Sequence, residues 1–130
     1  MRDGPLDPRA ARFAVLGAVL AFLADGAGAF GAHVLRSRLT EALLAASETG
    51  ARYQLIHAVA LIGVAWTLDR TRPPAGERAG WLLVAGTVLF SGSLYALALT
   101  GVTRFGLVTP FGGLSLLAGW LVLAWGLARR

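Results

Sequence analysis

Four apolar stretches separated by short polar connections set the pattern of this chain. They cover residues 13–34, 53–68, 80–102 and 109–128. A helix needs about 20 mostly apolar residues to cross a bilayer. Three of the stretches reach that length, and the second does so by borrowing its polar flank, residues 49–52. In hydrocarbon each backbone N–H and C=O must be satisfied within the segment or a closed barrel, so runs of this length predict helices. Between the first and second stretches, Leu39, Leu43 and Ala46 recur at helical spacing among Thr40, Glu41 and Glu48. That pattern predicts a short amphipathic helix over residues 36–52, lying on the membrane surface. Pro73, Pro74 and Gly76 mark residues 69–78 as a tight polar connection. The last connection, residues 103–108, turns at Arg104, Phe105 and Gly106, and Pro110 suits the first turn of the fourth helix. The expected fold is all-α, a membrane bundle of four transmembrane helices plus the surface helix. Residues 1–11 form an N-terminal tail and residues 12–130 a single four-span domain.

Small residues mark the expected packing faces. Gly17, Ala21, Ala24, Gly28 and Gly31 form a seam on the first span, and Gly112, Ser115, Gly119, Val122 and Gly126 form one on the fourth. Gly92 and Ala96 make a shorter pair on the third. Lipid tails are as apolar as leucine, so such seams hold helices together through close van der Waals approach.

Composition narrows the function classes. The chain is 56% hydrophobic and 15% charged, which leaves no room for a separate soluble domain. It contains no cysteine, so disulfides, thiolate metal sites and cysteine nucleophiles are excluded. Lysine is absent as well, and abundant Ala, Gly and Arg fit a GC-rich bacterial genome. The formal charge of +5 does not point to nucleic acid, because the arginines cluster beside apolar segments. They read as topology signals. Arg2, Arg9, Arg12, Arg70, Arg72, Arg78, Arg129 and Arg130 fall on one side of a four-span arrangement, against Arg36, Arg38, Arg52 and Arg104 on the other. The positive-inside rule then puts both termini in the cytoplasm. Trp66, Trp81 and Trp125 fall at that same boundary, where an aromatic belt belongs, and Trp120 lies deeper.

The polar residues within the spans are few: Asp25, His33, Tyr53, Gln54, His57, Ser91, Ser93, Tyr95, Thr109 and Ser115. At 1.5 Å per residue, Asp25, His57, Tyr95 and Ser115 all lie in the half of the bilayer facing the surface helix. This predicts one outer-half polar pocket whose ligand-binding residues are His57, Tyr53, Gln54, Tyr95, Asp25 and His33, with His57 and Tyr95 in contact or sharing a ligand. Tyr53 and His57 are four apart, and Gln54 and His57 three apart, so they share a helix face. Asp25 is the residue most costly to place in hydrocarbon. The bland alternative is that His57 only pins two helices by a hydrogen bond. Two histidines and a scattered aspartate do not make a metal site. Gly26, Gly28 and Gly31 follow no strand and so form no dinucleotide loop. No nucleophile–base–acid set is readable, so no catalytic residue, cofactor or enzymatic activity is expected.

Four motifs recur in order: Gly28-Ala29-Phe30-Gly31-Ala32-His33; Tyr53-Gln54 with His57-Ala58; Phe90-Ser91-Gly92-Ser93-Leu94-Tyr95; and Thr109-Pro110-Phe111-Gly112-Gly113-Leu114 with Gly119-Trp120. This series resembles the membrane-protein family known as domain of unknown function 423, over about residues 12–128. The resemblance implies a four-helix protein of the bacterial inner membrane and no assigned activity. His33, His57, Tyr95 and residues 109–113 fall on the family's recurring positions, whereas Asp25 does not. Two function classes remain. One is non-enzymatic transport or binding of an ion, a proton or a small lipid-like ligand, for which a homo-oligomer is a natural form. The other is an accessory or scaffold subunit of a larger membrane complex.

Overall fold

The computed structural model describes residues 4–71 and 74–129. Among them every regular element is helical: α1 (Pro8–His33), α2 (Glu41–Thr71), α3 (Pro74–Thr100) and α4 (Thr109–Ala128), with short 3₁₀ turns at Leu35–Ser37 and Thr103–Leu107. Among the described residues three stretches are long and apolar enough to cross a membrane: Pro8–Ser37, Pro74–Thr100 and Thr103–Ala128.

Local chemistry sets the helix boundaries. The Asp7 side chain accepts from the Arg9 backbone N–H at 2.8 Å, and Pro8 follows at the first helical position, so α1 starts there. The N-terminal tail expected through residue 11 is therefore shorter. The Asp7 N–H donates to Asp69 at 3.1 Å, tying the start of α1 to the end of α2. Thr40 Oγ1 accepts from the Leu43 N–H and caps α2. From there α2 runs unbroken for 31 residues. The separate surface helix expected over residues 36–52 is thus corrected: its residues 41–52 are the opening turns of α2. Gly50, inside this helix, is a point of close approach to α3. A Cβ there would lie 3.0 Å from the Tyr95 ring and 3.4 Å from the Ser91 carbonyl oxygen. Gly101, with φ +69°, ends α3 by donating its N–H to the Leu97 carbonyl at 2.8 Å. Arg72 and Pro73, at the centre of the expected tight connection, lie outside the described residues.

The helices pack in chain order, α1 on α2, α2 on α3 and α3 on α4. One apolar core joins them, built from Ala10 and Phe13 of α1, Leu61, Val64, Ala65 and Leu68 of α2, Leu83 of α3 and Leu116 of α4. The expected α4 seam is the α3 interface. A Cβ on Gly112 would strike the Phe90 backbone, one on Gly119 would lie 2.8 Å from Leu83, and one on Gly126 would lie 2.7 Å from Ala75. The α1 seam holds at Gly17, where a Cβ would lie 2.7 Å from the Ala58 carbonyl oxygen. It fails at Gly28 and Gly31, where an added Cβ would meet nothing within 4 Å; Gly28 is off the buried line of α1, which runs through Ala10, Gly17 and Ala24, seven residues apart. Gly92 also faces open space, so the expected Gly92–Ala96 pair is not a packing face.

At the end of the molecule carrying Asp7 and Asp69, three guanidiniums cover three indoles. Arg12 lies over Trp81 at 6.0 Å, Arg70 over Trp66 at 5.9 Å and Arg129 over Trp125 at 4.0 Å. The three indoles expected at a membrane boundary thus lie at one end of the bundle, each beside a guanidinium.

Candidate functional site

Most of the polar side chains within the helices are consumed in tying helix to helix. Gln54 of α2 donates to the Leu20 carbonyl of α1 at 2.9 Å and accepts from the Tyr95 hydroxyl of α3 at 2.8 Å. Ser91 of α3 donates to the Gly50 carbonyl at 2.7 Å. Ser93 pairs with Thr109 of α4 at 2.7 Å, and Ser115 of α4 donates to the Leu82 carbonyl at 2.8 Å. No buried side-chain nitrogen or oxygen among the described residues lacks a partner. Such bonds replace water in an apolar surround, which is why buried polar groups persist there only when paired.

His57 belongs to the same scaffold. Its Nδ1 lies 2.7 Å from the Tyr53 carbonyl oxygen, and Trp120 Nε1 lies 3.1 Å from its Nε2. An indole N–H only donates, so Nε2 is the acceptor and Nδ1 carries the proton. Both nitrogens of a neutral imidazole are thereby used, and α2 is pinned to α4.

Beside this pin runs a groove of about 570 Å³ between α2 and α4. It is lined by Arg52, Tyr53, Ile56 and His57 on one side, by Phe90 of α3 at its base, and by Gly113, Leu116, Leu117 and Trp120 on the other. Its aromatic wall is continuous: Tyr53 lies 4.8 Å from Phe90 and 6.1 Å from His57, and His57 lies 6.0 Å from Trp120. The close Gly112–Phe90 approach sets the ring of Phe90 at the base, and Gly113 leaves the space open above it. Tyr53 and Trp120 are each about two-fifths exposed, so the groove opens sideways, away from the core. Two of its lining groups have unused hydrogen-bonding capacity. Neither the Arg52 guanidinium nor the Tyr53 hydroxyl has a partner among the described residues.

The expected pocket residues therefore separate. His57 and Tyr53 line the groove. Gln54 and Tyr95 belong to the ties between helices and do not line it. The expected His57–Tyr95 meeting is replaced by two other pairs, His57–Trp120 and Tyr95–Gln54, because Tyr95 reaches across to the neighbouring face of α2. Asp25 and His33 are exposed on α1 and take no part in the groove. Arg52, Phe90 and Trp120 are groove residues that the sequence did not single out. Among the described residues no three His, Asp or Glu side chains are grouped to hold a metal ion.

Comparison with known proteins gives a consistent result. A family profile described as "Protein of unknown function (DUF423)" matches residues 27–113. The UPF0382 membrane protein YwdK of Bacillus subtilis is 42% identical over 112 residues, covering 85% of this chain and 91% of YwdK. A UPF0382 membrane protein of Staphylococcus haemolyticus is 43% identical over 111 residues, covering 85% of this chain and 90% of its own length. The UPF0382 inner membrane protein YgdD of Escherichia coli is 39% identical over 115 residues, covering 88% of each chain. No solved structure matches the chain.

Proposed function

The chain belongs to the DUF423 (UPF0382) family of membrane proteins, and from that premise we propose that it is a non-enzymatic binding protein of the inner membrane that takes a small lipid-like molecule into the α2–α4 groove. The observation that carries this reading is the groove itself. It is sized for a small ligand, walled by aromatic and aliphatic side chains, and open toward the surface that faces lipid. The scaffold bonds favour such a ligand over an ion or a proton. His57 has both nitrogens engaged within the protein, and Gln54 and Tyr95 are engaged with each other.

In this reading α2 is the fourth span. It is about 46 Å long at 1.5 Å per residue, lies between α1 and α3, and presents Leu55, Ile56, Val59, Ile62 and Trp66 outward. Its polar side chains, Gln54 and His57, point at neighbouring helices instead of lipid. The arginine bias of the sequence, with Arg9, Arg12, Arg70, Arg78 and Arg129 at the end bearing the three indoles, supports an orientation with both termini in the cytoplasm. A cysteine at Glu48 is then labelled from outside the cell and one at Arg78 is not; labelling of both from one side overturns this orientation.

The ligand reading is tested with a protein whose only tryptophan is Trp120, made by Trp66→Phe, Trp81→Phe and Trp125→Phe. Brominated stearate added to phosphatidylcholine vesicles is expected to quench Trp120 saturably. Gly113→Leu fills the groove and should remove that saturable component. Gly113 suits the purpose because a Cβ there meets only the Phe90 ring, at 3.8 Å. Quenching that rises linearly, and equally in the filled variant, refutes the reading.

A second reading, the accessory subunit or homo-oligomer, rests on one observation. Asp25 has no partner among the described residues and sits on an exposed face of α1 beside Gly28, Ala29 and Ala32. That face admits another membrane helix closely. Since the chain is free of cysteine, a single Gly28→Cys change reports it. A disulfide-linked dimer in native membranes favours self-association, and its absence removes that form.

A further inference from the structure

Arg52 and Tyr53 occupy consecutive positions on α2 and both line the groove. A guanidinium offers five donors in a planar fork, and a phenol adds a sixth, yet neither group has a hydrogen bond or ion pair among the described residues. This contrasts with His57 in the same wall, whose two nitrogens are both used. Arg52 is exposed at the mouth of the groove, so its guanidinium is open to an anionic group that arrives with an apolar ligand. The rest of the lining supplies no such group: Ile56, Phe90, Gly113, Leu116, Leu117 and Trp120 carry no acid.

The polarity is also ordered along the groove. On α4 the lining runs from Gly113, one turn into the helix, to Trp120, seven residues or about 10 Å further in. The antiparallel packing of α3 on α4, with Ser93 beside Thr109 and Leu83 beside Gly119, fixes which end is which. On α2, Arg52 and Tyr53 lie a full turn nearer than His57 to the end where α4 begins. One end of the groove is therefore cationic and hydroxylic, and the other is closed by the Trp120 indole, whose N–H is already bonded to His57.

Resting on the groove reading above, we propose that Arg52 and Tyr53 recognise an oxyanion, the carboxylate of a single-chain fatty acid, whose hydrocarbon chain runs down the groove toward Trp120. A carboxylate accepts two parallel N–H bonds from a guanidinium, leaving lone pairs for the Tyr53 hydroxyl. The groove volume of about 570 Å³ is in the range of a site for one small molecule.

The experiment uses the Trp120-only protein in phosphatidylcholine vesicles, with brominated stearate and brominated phosphatidylglycerol as separate probes. Brominated stearate is expected to quench saturably at low mole fraction, and brominated phosphatidylglycerol only as bulk lipid does. Arg52→Gln should raise the stearate fraction for half-quenching about tenfold or more, since charge-assisted hydrogen bonds are the stronger kind. Tyr53→Phe should raise it by a smaller factor, and Arg104→Gln, outside the groove, should leave it unchanged. The carboxylate assignment is overturned if Arg52→Gln binds stearate like the parent, or if phosphatidylglycerol saturates the site at the same fraction as stearate. A chain that binds without regard to Arg52 defeats only this inference, whereas the absence of any saturable quenching defeats the groove reading beneath it.

Discussion

Replacing Gly112 by alanine tests whether the groove is built from the α3–α4 seam. The new Cβ would lie 2.7 Å from the Phe90 Cα and 2.8 Å from its Cβ, with the backbone nitrogen closer still. Ordinary contact begins at 3.4 Å, so the helices must part by roughly 1 Å. The clash is with backbone, so no side-chain rotation relieves it. Parting loosens the neighbouring contacts too, Leu116 on Gly86 and Leu83 on Gly119. In a membrane protein these close contacts are the main attraction between helices. Overpacking of this kind costs about 1–3 kcal/mol. Gly28→Ala is the matched control, since nothing lies within 4 Å of its added methyl. Thermal unfolding in a mild detergent should show Gly112→Ala melting several degrees below the parent and Gly28→Ala at or above it. Equal melting of Gly112→Ala and parent would falsify the packing argument, and a comparable loss in Gly28→Ala would show that glycine content matters more than position.

Other substitutions separate scaffold from groove. Gln54→Leu strands the Tyr95 hydroxyl and removes the tie to the Leu20 carbonyl of α1, and should cost about 1–3 kcal/mol in the same unfolding assay; a parent-like melt would mean those bonds contribute nothing. Nitrogen NMR of His57 should report a neutral ring protonated on Nδ1, and Trp120→Phe should shift the Nε2 resonance by removing its donor; a ring protonated on Nε2 contradicts the assigned bonds. Asp25→Ala should leave the melting temperature of the detergent-solubilised monomer unchanged, because no partner among the described residues is lost; marked destabilisation would place Asp25 in the scaffold after all.

The helices were legible because hydrocarbon leaves the backbone few options, so an apolar run of sufficient length is already a structural statement. Which face of each helix turns inward was much less legible. In a soluble protein the polar stripe marks the outside, but here Val15, Phe22 and Leu23 on the exposed side of α1 are as apolar as Phe13 on the buried side. Small residues supplied a substitute signal. It succeeded for Gly112, Gly119 and Gly126, and failed for Gly28 and Gly92, where smallness accompanies open space. Asp25 shows the same limit. The cost of a carboxylate suggested that it points inward, and it lies on the outer face. Arg52 read as a topology marker because sequence spacing gives its place along α2 but not the groove formed there with α3 and α4. The surface helix was misjudged for a related reason. The apolar spacing at Leu39, Leu43 and Ala46 marked a helix there, but it did not show that the helix starts only after Thr40 and runs on without a break into the second apolar stretch.

The division of labour among the polar groups bears most directly on function. Gln54, Ser91, Ser93, Tyr95, Thr109 and Ser115 each satisfy a group on another helix, and His57 satisfies two partners at once. A group so engaged can bind a ligand only by giving up a bond that holds the fold, and the exchange offers little net gain. Arg52 and Tyr53 face no such exchange, because the guanidinium and the hydroxyl have no hydrogen-bond partner among the described residues. His57 still matters to them. By accepting from Trp120 and donating to the Tyr53 carbonyl, it fixes the spacing of the two groove walls and the turn of α2 on which Arg52 and Tyr53 sit. It is a positioning residue for the groove. His57→Phe should therefore weaken the saturable quenching of Trp120 while leaving its Arg52 dependence in place. Loss of the Arg52 dependence alone, with quenching intact, would mean that His57 acts on the head group directly and that this assignment of roles is wrong.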